Sequence, residues 1–176
     1  MDTTIPGAMS GGRMNPDADD RFRQESDRIR SFFIRPFFLS VTIGIPFCTY
    51  KFLFGTAAVR SGEAGSLLPI FGWLVIGWAA ADLAMNAGRA VFDLAGRSAP
   101  FEYCTLAQAG HAFRMPMVFL AFDTFLSFSI ICYMLWSGWI ALLTPLESYL
   151  WYGATTLNLL SLSIVSLYHE IAKVRQ

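Results

Sequence analysis

The sequence predicts an all-α, polytopic membrane protein: a bundle of four transmembrane helices with both termini cytoplasmic and a short amphipathic helix between spans two and three. Three observations carry this expectation. The 176 residues are 55% hydrophobic and 15% charged, with a mean hydropathy of +0.47, too apolar for a soluble domain of this size. Four apolar stretches, at about 37–59, 66–88, 115–143 and 146–172, each supply the ~20 residues that a helix needs to cross ~30 Å of hydrocarbon. With four crossings, every Lys and Arg except Lys51 and Arg60 falls on one side, which the positive-inside rule makes cytoplasmic.

Residues 1–20 are rich in Gly, Pro, Asp and Met without apolar periodicity, the composition of a disordered tail. Residues 21–36 form a juxtamembrane amphipathic segment, whose Arg side chains suit lipid headgroups while Phe32, Phe33 and Ile34 dip inward. The start Met-Asp-Thr-Thr lacks a secretory or myristoylation signal and the end lacks a prenylation box, so attachment is expected from the spans themselves. The first span contains Pro46, which should kink it, and Lys51, expected to snorkel to the nearer interface.

Gly96 and Ser98-Ala99-Pro100 end the second span and precede a short helix over 101–113. Pro116 then opens the third span. Thr144-Pro145-Leu146-Glu147 fits a capping box, with Thr144 as cap and Glu147 reaching back, which predicts a tight antiparallel hairpin of spans three and four. Trp136, Trp139 and Trp151, with Tyr149 and Tyr152, gather at the opposite interface as aromatic anchors. Residues 173–176 form a short cytoplasmic tail.

The second span carries the candidate functional residues. On a helix advancing ~100° per residue, Asp82, Asn86, Arg89 and Asp93 fall within about a 60° arc. Ionisable groups inside a membrane segment are expensive, and by default they mark function. Ala80, Ala84 and Gly88 recur every four residues on the other face, a small-residue spacing that lets helix backbones approach. Both faces therefore look occupied, which places span two centrally or between protomers.

Span three adds Asp123 with Ser127 one turn later, and span four adds Asn158 with Thr155, Ser163 and Ser166. At ~1.5 Å per residue, Asp82 and Asp123 both lie about 10–12 Å deep. Were they to face each other, one would have to stay protonated, or a cation would have to sit between them. Such a cluster serves either as interhelical glue, satisfied by Arg89, Arg114 or buried hydroxyls, or as a proton or cation site. Arg89 and Arg114 also suit plain interfacial anchoring.

Other chemistry finds little support. The two histidines, His111 and His169, lie toward the cytoplasmic side, so a haem or chlorophyll ligated within the bilayer lacks its ligands. Cys104 and His111 are two turns apart on the predicted surface helix, a spacing that an amphipathic helix explains without a metal. Cys48 and Cys132 suit small apolar fillers more than a bridge. Neither a catalytic motif nor a phosphate loop occurs, and zero formal net charge gives no basic excess for nucleic acid. The expectation is a non-enzymatic membrane protein without metal or cofactor, resident in the plasma or inner membrane. Its partners would be the lipid bilayer and either further copies of itself or other membrane subunits. The leading role is a structural or accessory subunit; the alternative is a small oligomeric proton or cation channel or transporter using Asp82 and Asp123.

Overall fold

A computed structural model describes residues 35–63 and 65–173. The expected tail at 1–20, nearly all of the juxtamembrane segment and the last three residues lie outside the described ones. Five helices follow in order: α1 (Pro36–Ser61), α2 (Leu68–Leu94), α3 (Thr105–Gly110), α4 (Pro116–Trp136) and α5 (Pro145–Lys173). α1, α2, α4 and α5 are each long and apolar enough to cross a membrane, and α3 is the short helix between the second and third of them.

α1 is the most buried of the four and the hub against which α2, α4 and α5 each pack. Its local chemistry explains its shape. Pro46 has no N–H and its ring would collide with the carbonyl of Thr42 in a regular α-helix. The chain answers by widening Ser40–Gly44 into a π-helical turn, with the Ile45 N–H donating to the Ser40 carbonyl. Proline thus produces a local bulge. The Thr42 hydroxyl donates back to the Phe38 carbonyl and reaches Ser161 of α5 at 2.9 Å. Further along, the Tyr50 hydroxyl donates to Thr155 at 3.1 Å, and the ring of Tyr50 meets Trp151 edge-on.

Gly55 of α1 and Gly72 of α2 bring the two backbones close together. A Cβ added at Gly72 would lie 2.7 Å from the Gly55 carbonyl oxygen, and one at Gly55 would lie 2.9 Å from that of Gly72. From this point a buried row runs down α2 through Val75, Ala79, Asp82, Asn86 and Ala90. The polar stripe is therefore part of the face that meets α1. The opposite face is open: Ala80 and Ala84 are exposed, and only Gly88 is covered, by the ring of Phe101. Within one chain, α1 rather than span two is central, because periodicity fixes which residues share a face and not which neighbour it meets.

Two further expectations are corrected. The third span ends at Trp136 instead of running to 143, because Ser137 caps the helix and Gly138 turns it at φ 74°. A 3-10 turn, Trp139–Leu142, follows. Trp139 stacks on Phe54 of α1 and meets Tyr133 edge-on, which ties the loop to α1. α4 and α5 consequently pack on α1 more than on each other, so they do not form the tight hairpin expected. The capping box at the start of α5 is nevertheless present: Glu147 accepts from the Thr144 N–H at 2.8 Å, and its own N–H reaches the Thr144 hydroxyl at 3.4 Å. Arg60 adds a forked pair to both Glu147 oxygens, at 2.9 and 2.8 Å, joining the ends of α1 and α5.

Candidate functional site

The site begins with Lys51. A side chain on a helix leans toward the N-terminus of that helix, so the four-carbon stem of Lys51 extends back along α1. That direction leads away from the nearer end of α1, and the side chain is 1% exposed, its ammonium meeting carboxylates. It donates to Asp82 of α2 at 2.7 Å and to Asp123 of α4 at 2.6 Å. Its nitrogen also lies 4.0 Å from the centroid of the Trp78 ring, a favourable position for a desolvated cation. The expectation that Lys51 reaches an interface is overturned. Of the two outcomes expected if the carboxylates met, a shared proton or a cation between them, the structure has the cation, and it is this lysine.

The two carboxylates are not equivalent. Asp82 is held on its second oxygen by the Thr105 N–H at 2.7 Å and the Thr105 hydroxyl at 2.8 Å. The start of α3 is thereby tied to the bundle. Asp123 accepts from the ammonium on one oxygen. Cys104 caps α3 by accepting from the Ala107 N–H at 3.3 Å. Burial pushes the Cys104 thiol up to about 12, so it stays protonated at neutral pH. Ser127 lies buried one turn along α4 and donates to the Asp123 carbonyl at 2.9 Å.

Asn86 continues the site toward the C-terminal end of α2. Its amide donates to the Asp82 carbonyl at 3.0 Å and to the Tyr103 carbonyl at 2.8 Å. Its oxygen is buried without a partner among the described residues. The amide fits only because position 44 is glycine: a Cβ there would collide with the Asn86 side chain. Arg89 follows, stacked on Tyr103 at 3.8 Å, donating to the Phe101 carbonyl and 3.8 Å from Glu102. Asp93 accepts from the Phe37 N–H at 3.3 Å. The stripe thus divides into an ion-paired part at Asp82 and a loop-binding part at Asn86 and Arg89.

A cavity of about 200 Å³ opens beside the triad. Lys51, Asp82, Asp123 and Asn86 line its polar side, while Phe47 of α1 and Leu120 of α4 form apolar walls. Asn158 does not join this group. It is buried on α5, with its side-chain oxygen unpartnered among the described residues, and it does not line the cavity.

The aromatic residues expected at an interface also separate. Trp136 is 93% exposed, Trp139 is half-buried, and Trp151 is 4% exposed in the core against Tyr50. Trp151 is therefore a packing residue, placed inside by the turn of α5 that faces α1. Cys104 and His111 do not converge: His111 pairs with Glu102 at 2.8 Å on the exposed side of the loop. Among the described residues no group of His, Cys, Asp and Glu is arranged to hold a metal ion. Cys48 is buried, Cys132 is exposed, and both are free thiols.

The geometry defines a polar junction of three helices, one lysine between two carboxylates, with a small cavity at its side, set in a bundle of membrane-length helices. Comparisons with family models, curated proteins and solved structures find no match.

Proposed function

We propose that the chain is a non-enzymatic, multi-pass subunit of the plasma or inner membrane, with both termini cytoplasmic, that packs against further copies or other membrane proteins through the outer face of α2. The carrying observation is the small-residue row on that face. Gly77, Ala80 and Ala84 are all exposed, and a Cβ added at Gly77 would meet nothing within 4 Å. Lipid tails solvate large side chains as well as small ones, so a row of small residues gains most from a second helix backbone brought close. The triad fits the same reading. Its charges are spent inside the chain, joining α1, α2 and α4 and leaving the α2 exterior uncharged for a partner.

In a chain whose own three cysteines are replaced by alanine, Ala84→Cys should crosslink efficiently in native membranes. Val118→Cys, at an exposed position on α4, should crosslink weakly. Equal, low yields at both positions would defeat the proposal.

The cavity gives the alternative reading its support. In a small channel or transporter, Asp123 would be the group that exchanges a proton or cation, because it faces the cavity while Asp82 is engaged on both oxygens. Asn158 would play no part. In proteoliposomes, Asp123→Asn should then abolish a pH-dependent flux that the unaltered protein carries. The subunit reading expects no flux from either.

A further inference from the structure

A second cavity, a cleft of about 600 Å³, lies where α1 begins and α2 ends. Arg35, Arg89 and Arg97 line it against the single carboxylate of Asp93. Glu102, 3.8 Å from Arg89, offsets one of these guanidiniums and Asp93 a second, so one positive charge is left over. Asp93 accepts from the Phe37 N–H at 3.3 Å and forms no ion pair with any of the three arginines among the described residues. The guanidinium of Arg89 rests on Tyr103 and donates to the Phe101 carbonyl. Arg35 and Arg97, by contrast, are exposed, and their side chains have no partner among the described residues.

The backbone fixes where these groups stand. Gly96 turns the chain at φ 68°, and the Arg97 N–H donates back to the Phe92 carbonyl at 2.9 Å, a closed end to α2 that holds Arg97 and Ser98 on the same cleft as Arg35. Ser98 is exposed, and neither its hydroxyl nor its N–H has a partner among the described residues. Leu94 borders the cleft at 69% exposure, and Val91, three residues further into the membrane-length helix, is 64% exposed. Two open guanidinium forks, a free hydroxyl and a free N–H therefore stand at the end of an apolar strip.

These features select the ligand. Guanidinium forks pair bidentately with phosphate oxygens, and the one charge of a phosphodiester matches the excess. A carboxylate would occupy one fork and leave the other open. The cleft also lies at the ends of membrane-length helices, the level at which phospholipid headgroups meet basic pockets, and acyl chains attached there would descend over Leu94 and Val91.

We infer that the cleft between the start of α1 and the end of α2 binds a phosphate group, carried either by an anionic phospholipid or by a soluble phosphate ester. It shares no residue with Gly77, Ala80 and Ala84, so it stands or falls separately from the subunit reading.

The test is native mass spectrometry of the full chain in mild detergent, titrated with dioleoylphosphatidylglycerol and, separately, with dioleoylphosphatidylcholine. One phosphatidylglycerol should be retained about tenfold more strongly than phosphatidylcholine, whose quaternary ammonium cancels the phosphate charge. Arg35→Gln combined with Arg97→Gln should remove the preference. Arg114→Gln, at an exposed arginine that does not line the cleft, should keep it. Ser98→Glu sets a carboxylate in the cleft and touches neither arginine; it should also remove the preference, which keeps the test decisive if the double variant fails to fold. Equal retention of the two lipids, or an equal loss in Arg114→Gln, would overturn the inference. Glycerol 3-phosphate added to the lipid-bound protein separates the sources. Displacement of the lipid shows that the soluble ester takes the cleft, and an undisturbed adduct identifies the headgroup as the ligand.

Discussion

Lys51→Met should destabilise the isolated protein by about 3–5 kcal/mol, the range for removing one partner of a buried ion pair. The cost arises because two carboxylates, linked to the same ammonium at 2.7 and 2.6 Å, would be left facing each other away from water. Unfolding midpoints in a mild detergent would measure it. The variant Lys51→Met with Asp82→Asn and Asp123→Asn should recover most of the loss, since charge and countercharge leave together and methionine retains the apolar stem. Recovery should be incomplete, because a neutral amide at position 82 accepts the two Thr105 bonds more weakly than the native carboxylate does. A single Lys51→Met variant as stable as the original would mean that the triad does not hold α1, α2 and α4 together.

Gly72→Val should produce the second large effect, about 1–3 kcal/mol or more. The obstacle is backbone: the added carbon would stand 2.7 Å from the Gly55 carbonyl oxygen and 2.9 Å from the Val59 N, neither of which can rotate away. α1 and α2 would have to separate, and the strain would spread to the Lys51–Asp82 pair further along the same contact. Gly77→Val, a little over one turn along the same helix, makes an informative comparison. Open space surrounds it, so in detergent it should be nearly neutral. In native membranes the same change should reduce association if the outer face of α2 meets a partner. The two substitutions separate folding from assembly with one chemical change.

The helices and their punctuation were legible in the sequence because each rests on local rules. Apolar length gave the four membrane-length helices, Thr144 and Glu147 marked the start of α5, and the helical period placed Asp82, Asn86, Arg89 and Asp93 on one stripe. The end of α4 was legible too, in Ser137-Gly138, but the apolar run through Trp139 and Ile140 obscured it. What local rules could not supply was the identity of neighbours. Ala80 and Ala84 were recognisable as a packing row, yet the chain uses Gly55 and Gly72 for its own crossing. Trp151 had the composition of an interface residue and the position of a core one.

Lys51 shows the limit most clearly. Its partners lie 31 and 72 residues further along the chain, and only the arrangement of α2 and α4 around α1 brings them to one point. The useful signal was chemical: two carboxylates expected at one depth would, if they met, need a shared proton or a cation, and the first span contained a lysine. Snorkelling offered a cheaper account of the same lysine within a single helix, and the tertiary pairing displaced it.

That separation along the chain also orders the making of the protein. α1 leaves the ribosome before either acid exists, and a lysine deep in a helix costs about 2.5–3.5 kcal/mol on insertion. Asp82 arrives first and Asp123 only after α3, so the ammonium acquires its counterions one at a time. The hub of the finished bundle is thus the helix whose polar partners are completed last, when α4 supplies Asp123.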